Sequence, residues 1–299
     1  MSMEIDVLSD LKCVCGESPI WDEIQNMLYW VDVPEGAIYR YDYENRSVEY
    51  FQVSQKIGSI ALTCTGNLIA ALKEGFYKVC MDEKKQHFIN APISFPIQNR
   101  FNDGKCDSTG RFWAGSMSDE IEKENKGSLY TLEKNGQISK KLSDLTISNG
   151  MCWSLDSRVF YHIDTPRFVV RAFDYSVDEG VLTNARNVIQ IDPSLGAPDG
   201  MTIDTEGMLW IAHWGGGRLS RWNPFLGKML MEVLLPVSKI TSCTFGGRLM
   251  DELFVTSAKI GLSKDQLAKE PLAGSTFHIK NLGFTGNPFY RVDDYAFLL

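Results

Sequence analysis

The same short pattern recurs along this chain at intervals of roughly 40–50 residues, a spacing typical of propeller blades. An Asn or Asp stands shortly before a glycine, and an aromatic-rich, strand-like run begins about ten residues further on. The pairs of polar residue and strand start are Asn102 with Phe112, Asn149 with Val159, and Asp199 with Leu209. In a fourth stretch, Glu17 precedes the strand-like run that starts at Leu28.

Six strand-like runs follow this rhythm, and most are preceded by a turn rich in Asp, Gly, Thr or Ser. The runs begin near Leu28, Leu68, Phe112, Val159, Leu209 and Leu253. Further runs, such as residues 38–42 and 127–132, alternate apolar and polar side chains, which is the period of half-buried strands. The pattern predicts an all-β fold, a six-bladed β-propeller formed by residues 1–299 as a single domain. A β-sandwich is the alternative, but a sandwich does not require the common register. One short helical turn is expected at residues 263–270.

Composition and charge exclude several classes of protein. The net charge is −8 and the sequence pI is near 5.1, which argues against nucleic-acid binding, because that needs clustered Lys and Arg. No apolar run is long enough to span a membrane, and no secretory signal precedes the first strand. The seven cysteines are an odd number without a CxxC pair, so reduced thiols in a cytoplasmic protein are expected.

Common catalytic motifs are absent from the sequence. There is no Gly-x-Ser-x-Gly elbow, no GxxxxGK[ST] phosphate loop and no HExxH zinc helix. His162 and His213 share a place within strands of adjacent units, so both could approach a central channel. Ordinary packed histidines are the expectation over a ligand role.

The recurrent oxygen-bearing side chains indicate a metal site. Residues at one register of a repeat occupy equivalent positions, so Glu17, Asn149 and Asp199 are expected to converge on one point, with Asn102 nearby. Carboxylate and amide oxygens suit Ca²⁺, Mg²⁺ or Mn²⁺. The alternative is that these residues only form turns, since Asn-Gly and Asp-Gly are common turn dipeptides. The shared register favours the metal site.

Five segments resemble the family of gluconolactonase, regucalcin and related sugar lactonases. They are GESPIWD at 16–22, NRFNDGKCDSTGRFWAGSM at 99–117, ISNGMCWSLDSRVFYHID at 147–164, APDGMTIDTEGMLWIAHWGGGR at 197–218 and TSCTFGG at 241–247. This resemblance covers nearly the whole chain. It implies a six-bladed propeller with one divalent metal ion at the mouth of its channel.

The resemblance also implies a role for each site residue. By position, Glu17, Asn149 and Asp199 would be the metal ligands, and Asp199 would also be the general base. Arg100 and Asn102 match residues that hold the sugar lactone, and Glu120 falls where some members place a further carboxylate. Pocket walls are expected from loops at residues 57–60 and 118–126. The metal is expected to be Ca²⁺, with Zn²⁺, Mn²⁺ or Fe²⁺ as alternatives.

The implied activity is the hydrolysis of a small-molecule sugar lactone to the sugar acid. The metal would act as a Lewis acid on the lactone carbonyl, and Asp199 would accept the proton of the attacking water. Alternatives are a phosphotriester hydrolase, as in the similar diisopropyl fluorophosphatase, and a non-catalytic calcium-binding propeller. An insect-type activity on luciferin breakdown products is a further alternative.

The oligomeric state stays open. The C-terminal residues 290–299 are expected to close the last blade; covering an apolar surface is the alternative.

Overall fold

Six four-stranded antiparallel sheets form a ring in the computed structural model, which describes residues 2–120, 124–294 and 297. The first strand of each sheet contacts the first strand of the next, and the sixth sheet returns to contact the first. The protein is therefore a six-bladed β-propeller, and the predicted all-β fold class is confirmed.

The strands are numbered in chain order, and each of the first five blades contains four consecutive strands. Blades 1 and 2 are β2 (Gly16–Asp22), β3 (Met27–Asp32), β4 (Ala37–Asp42), β5 (Ser47–Gln52), β6 (Ile57–Leu62), β7 (Leu68–Leu72), β8 (Gly75–Cys80) and β9 (Lys85–Asn90). Blades 3 and 4 are β10 (Asn99–Cys106), β11 (Phe112–Ser118), β12 (Gly127–Leu132), β13 (Ile138–Leu145), β14 (Ser148–Trp153), β15 (Val159–Asp164), β16 (Val169–Ser176) and β17 (Val181–Gln190). Blades 5 and 6 are β18 (Ala197–Ile203), β19 (Leu209–Trp214), β20 (Arg218–Asn223), β21 (Lys228–Leu234), β22 (Ile240–Gly246), β23 (Glu252–Ser257), β24 (Phe277–Lys280) and, from the N-terminus, β1 (Glu4–Val7).

Burial falls from the centre of the ring to its rim. Every residue of β2, β6, β14 and β22 is buried, whereas outer strands such as β5 and β9 are mostly exposed or half-buried. The runs predicted from the sequence are the second strands of the blades, and the core lies between neighbouring blades. There Trp21 stacks on Phe254, and Trp113 packs against Trp153.

The last blade is closed by the N-terminus. β1 pairs with the outer edge of β24 in antiparallel register, from Glu4 opposite Lys280 to Val7 opposite Phe277. The expectation that the C-terminal segment closes this blade is therefore wrong. Since β1 already occupies that edge, the hydrogen-bonding groups there are satisfied before the C-terminal segment is reached.

The C-terminal segment instead crosses one mouth of the channel. It forms a bridge with blade 5 at Gly286 and one with blade 2 at Val292. Its Arg291 pairs with Asp22 at 2.8 Å, and Asp294 pairs with Lys78 at 3.0 Å. Val292 is buried among apolar side chains of blades 2 and 3. The described part of this segment therefore covers an apolar surface, which is the alternative considered from the sequence. Residues 295, 296, 298 and 299 lie outside the described residues.

Smaller features complete the fold. The predicted helical turn is α1 (Lys264–Lys269), which has a capping box at Ser263. Residues 57–60 form part of the buried strand β6, so they are not the wall-forming loop expected from the sequence. In the described part of the chain, no helix is long and apolar enough to span a bilayer. All seven cysteines are unpaired, and Cys64 is exposed.

Candidate functional site

Each innermost strand is interrupted at the register of the candidate residues. Irregularities in pairing with the second strand lie between Glu17 and Ile20, Ile57 and Ser59, Phe101 and Gly104, Ser148 and Met151, Pro198 and Met201, and Ile240 and Ser242. Such β-bulges redirect side chains and are common beside active sites. Next to Glu17, Ser18 has a φ of +49°, an unusual conformation for a residue with a side chain.

The glycines of the repeated pattern allow neighbouring innermost strands to approach closely. A Cβ on Gly150 would lie 2.5 Å from the carbonyl oxygen of Asp199, and one on Gly200 would lie 2.2 Å from Ser242 Oγ. Asn149-Gly150 and Asp199-Gly200 lie inside β14 and β18 rather than in turns. The alternative reading of these dipeptides as turn-formers is therefore wrong.

Asn149 and Asp199 meet across two adjacent blades. The Asn149 Nδ2 group donates to Asp199 Oδ1 and to Thr165 Oγ1, the latter at 3.0 Å. Because the Thr165 hydroxyl donates to the Pro198 carbonyl, it can only accept from Asn149. Both amide hydrogens are thus used, and Asn149 Oδ1 remains buried without a hydrogen-bond partner.

Glu17, Asp103 and Asp199 form a buried group of carboxylates. Their exposed fractions are 9%, 6% and 6%. Burial raises the pKa of Glu17 well above its ordinary range, and Asp199 and Asp103 raise it further. Burial and then Asp103 raise the pKa of Asp199 in the same way. Arg100 partly compensates this negative charge.

These residues fit a divalent cation. An unsatisfied amide oxygen and two carboxylates that repel one another are the hard oxygen donors that such ions take. Within the described residues, no group made up only of His, Cys, Asp or Glu, with three or more members, is arranged to hold a metal ion. The candidate ligand set of Glu17, Asn149 and Asp199 is not a group of that kind, because one of its three oxygen donors is the amide of Asn149.

Arg100 and Asn102 lie together beside this group, on β10. Arg100 Nη1 donates to Asn102 Oδ1 at 2.9 Å, and its Nε lies 3.1 Å from Asp119. Asn102 Nδ2 donates to the Ser148 carbonyl at 3.0 Å, which is next to Asn149. The structure thus brings the predicted substrate-binding pair next to the predicted metal ligands.

Glu120 lies further out. It follows the end of β11 and is exposed, and its backbone N–H donates to Ser118 Oγ at 3.2 Å. The neighbouring Asp119 carboxylate also contacts Lys56 at 3.1 Å and Lys73 at 3.5 Å. The rim of the channel beside Arg100 therefore has more positive charge than the motifs indicate.

The two histidines considered from the sequence are packed inside blades. His162 Nε2 lies 2.8 Å from Ser148 Oγ, and His213 Nε2 lies 2.5 Å from Ser220 Oγ. Burial lowers the pKa of His162 to about 3 and that of His213 to about 4. Both rings are neutral near pH 7, and the expectation of ordinary packed histidines is confirmed.

Asp103 is the site residue that the sequence reasoning missed. Successive side chains on a regular strand point to opposite faces, so a residue beside Asn102 would be expected to point away from the channel. The bulge between Phe101 and Gly104 removes this alternation. The signal available in the sequence was the second acidic or amide residue in NDG at 102–104, since the units with Gly150 and Gly200 have only one such residue before the glycine.

Comparisons with known proteins find relatives that match almost the whole chain. The family described as SMP-30/Gluconolactonase/LRE-like region matches residues 15–259. Regucalcin from Oryctolagus cuniculus is 38% identical over 293 residues, covering 97% of this chain and 98% of its own. The solved structure of a luciferin-regenerating enzyme has a TM-score of 0.91 at 28% identity, covering 98% of this chain and 100% of its own.

A second solved structure is that of regucalcin from Agrobacterium tumefaciens, described as a calcium-binding protein. It superposes with a TM-score of 0.90 at 25% identity, covering 96% of this chain and 97% of its own. The family match spans most of the propeller, and the relatives match almost end to end. The resemblance inferred from the sequence motifs is confirmed: this chain belongs to the SMP-30/gluconolactonase/LRE-like family.

Proposed function

We propose that this protein hydrolyses a sugar lactone, with a divalent cation held by Glu17, Asn149 and Asp199. Membership of a family that includes gluconolactonases supports a lactonase-type activity. The observation that carries the proposal is the buried Asn149 Oδ1, which lacks a hydrogen-bond partner although the Nδ2 of the same amide has two. A buried acceptor left in this way costs about 1–3 kcal/mol unless a ligand satisfies it.

When bound, the cation supplies Lewis acidity toward a carbonyl oxygen. Asp199 is the proposed general base: a carboxylate oxygen accepts a proton from water as the water oxygen bonds to the lactone carbonyl carbon. Asp199 then passes that proton to the ring oxygen as the ester bond breaks. Burial and Asp103 raise the pKa of Asp199 in the cation-free site. That rise opposes the lowering that a bound cation would cause, and a base works best when its pKa lies closer to the working pH. The hydrogen bond from Asn149 orients the Asp199 carboxylate.

Arg100, Asn102 and Glu120 are the proposed contacts to the sugar. The Arg100 guanidinium is oriented by Asp119 and Asn102, so its planar set of donors is fixed before a substrate arrives. The Asn102 amide spans from Arg100 to the Ser148 carbonyl and presents polar atoms to hydroxyl groups. Glu120, at the exposed rim, would accept hydrogen bonds from sugar hydroxyls further from the carbonyl.

A second candidate function is calcium binding without hydrolysis. The curated relatives at 38% identity are named regucalcin, and the Agrobacterium structure is described as a calcium-binding protein. The same three ligands would serve this function, since a cation bound by Glu17, Asn149 and Asp199 does not require substrate contacts at Arg100.

The test is turnover of aldonolactones by the purified full chain, treated with chelator and then given Ca²⁺, Mn²⁺ or Zn²⁺. Acid release is followed with a pH indicator. We expect chelation to abolish turnover and a suitable cation to restore it. Asp199→Asn should reduce turnover by about 100- to 10,000-fold, because general base catalysis supplies about that much.

The control is Asp174→Asn, which alters an exposed carboxylate bonded to Asn184 and Arg186 on the outer part of blade 4. It should leave turnover unchanged, and circular dichroism should show that both variants are folded. Full activity of Asp199→Asn would refute the assignment of the base. Cation binding by calorimetry without any acid release would favour the calcium-binding function.

A further inference from the structure

A cavity lies at the opposite mouth of the channel from the carboxylates. It has a volume of about 460 Å³, within the range of small-molecule sites. The ends of β10, β14, β18 and β22 line it, whereas Glu17, Asn149 and Asp199 lie near the beginnings of their strands. We call this space, between those strand ends and residues 286–290, the distal cavity.

The distal cavity has one charged side chain, Lys105, among the described residues that line it. Lys105 Nζ donates to the Met201 carbonyl at 2.8 Å and lies 5.8 Å from the centre of the Phe289 ring. Asp103 lies two positions earlier on β10; burial raises the pKa of Asp103, and the charge of Lys105 lowers it in part. No carboxylate within residues 2–120, 124–294 and 297 is close enough to Lys105 to form an ion pair with it. An ammonium has three donor hydrogens, so a carbonyl and a ring face leave capacity for an anion.

The rest of the cavity is mostly apolar and aromatic. Trp153 and Phe245 form buried walls with exposed fractions of 6% and 1%, and Phe289 lies against Lys105. Leu155 and Tyr290 stand at the rim and are about half exposed, at 49% and 45%. A ligand here would bury an apolar body between aromatic side chains and direct a negative group towards Lys105.

The wall formed by the C-terminal segment is held on both sides of the cavity. Gly286 N–H donates to the Met250 carbonyl and Val292 N–H to the Leu62 carbonyl, both at 2.8 Å. A Cβ on Gly286 would lie 2.3 Å from Phe245 Cβ, so only glycine allows this close crossing. The cavity is therefore preformed, which lowers the entropy cost of binding.

We infer that the distal cavity binds a small organic anion, a carboxylate with a flat apolar body, whose charged group pairs with Lys105. The site is separate from the proposed lactone site and does not depend on that activity. The lining of the cavity determines the class of ligand. It has aromatic walls and one cation, and the described lining residues include no anion. A neutral ligand of the same shape would gain the apolar contacts but not the charge-assisted hydrogen bond.

The experiment compares 1-naphthoate with the neutral 1-naphthamide by isothermal titration calorimetry on the full chain. We expect naphthoate to bind about tenfold more tightly than naphthamide, since a hydrogen bond to a charged group contributes about that much. Lys105→Met should remove this difference, and Lys105→Arg should retain most of it. Equal affinities of the two probes for the unaltered protein, or no binding of either, would overturn the inference.

The matched control is Lys140→Met. Lys140 also lies 5.8 Å from an aromatic ring, that of Tyr130, but on an outer strand. The Lys140→Met variant should bind naphthoate as the unaltered protein does.

Leu155→Trp provides a second test, because Lys105→Met also loses the bond to Met201. The Leu155→Trp variant keeps Lys105 and fills the exposed rim. That variant should lose both probes, and unchanged binding would place the ligand elsewhere and contradict the proposed site.

Discussion

At the scale of single residues, the mouth of the channel concentrates buried negative charge. Glu17, Asp103 and Asp199 lie within electrostatic reach of one another; Arg100 is the cation near Glu17 and Asp199, and Lys105 is the cation near Asp103. Proteins rarely bury unpaired carboxylates, because desolvation and mutual repulsion both disfavour the charged forms. Folding such a site without a cation costs free energy. The presence of a cation site can therefore be tested by measuring the stability of the protein.

We predict that the chelated protein loses stability as the pH rises from about 5 to 8. A carboxyl group whose folded pKa is raised stabilises the fold below its unfolded pKa, near 4, and that contribution is lost as the pH climbs through the folded pKa. Asp103→Asn removes one of the three charges and should raise Tm at pH 8 by about 5 °C. Differential scanning calorimetry in chelator measures both effects.

The informative quantity is the difference in Tm between Asp103→Asn and the unaltered protein, because other groups also titrate in this range. It should be near zero at about pH 4, where the carboxyl group begins to ionise in the unfolded chain, and grow toward pH 8. Calcium should raise the Tm of the unaltered protein more at pH 8 than at pH 5, because deprotonated ligands bind the cation better. A difference that stays constant with pH would contradict the electrostatic explanation.

At the scale of elements, the turns between first and second strands repeat one device. The side chain of an Asp accepts backbone N–H groups of the turn: Asp22 from Gln25, Asp107 from Arg111, and Asp204 from Met208. In blades 3 and 5 the same carboxylate also accepts from the tryptophan six residues on, at 2.8 and 2.9 Å. This hydrogen bonding joins the turn to the core of the blade.

Replacement of Asp107 by Asn should cost about 2–3 kcal/mol at pH 7, the contribution of hydrogen bonds to a charged group. Burial alone would raise the pKa of Asp107, but hydrogen bonds from Tyr175, Trp113 and Thr109 outweigh it, and the pKa is lowered. A lowered pKa means that this stability is present above the unfolded pKa and is lost as the pH falls through the folded one.

Urea unfolding at pH 7 and pH 3 measures the effect, and the cost of Asp107→Asn should shrink at the lower pH. Asp156→Asn, in the corresponding exposed turn of blade 4, is the control and should have little effect at either pH. Equal costs for the two variants at pH 7 would show that the tryptophan and tyrosine bonds to Asp107 contribute nothing.

At the scale of the whole molecule, the ring depends on its two ends. β1 covers the edge of β24, and Ile5 and Leu8 pack against the core between the first and last blades. The C-terminal segment crosses from blade 5 to blade 2. The free energy of unfolding therefore depends on both ends of the chain. A deletion at one terminus should destabilise the whole ring.

Deletion of residues 2–7 should lower the free energy of unfolding by about 3 kcal/mol, because it removes apolar burial at Ile5 and the pairing with β24. The uncovered edge should also promote association. Thermal unfolding and size-exclusion chromatography measure the two effects. Asp6→Asn, which removes only an exposed ion pair with Lys280, should behave as the unaltered protein. Normal stability after the deletion would show that β1 does not close the ring.

Much of the fold and part of the site could be predicted from the sequence. The strand starts at Leu68, Phe112, Val159 and Leu209 coincide with β7, β11, β15 and β19, because alternation and turn residues are local properties. The register of Asn149 and Asp199 predicted their contact, since equivalent positions of a repeat meet at the channel. Asp103 escaped prediction because a bulge, set by pairing with β11, turned its side chain inward.

The sequence by itself determined the periodic elements, since the alternation of side chains, the turn residues and the glycines beside Asn149 and Asp199 act over a few positions. Only the tertiary structure decided which terminus closes the ring, because β1 and the C-terminal segment compete for edges formed by residues far away along the chain. It alone also formed the distal cavity around Lys105, since that space exists only once blades 3 to 6 and residues 286–290 surround it.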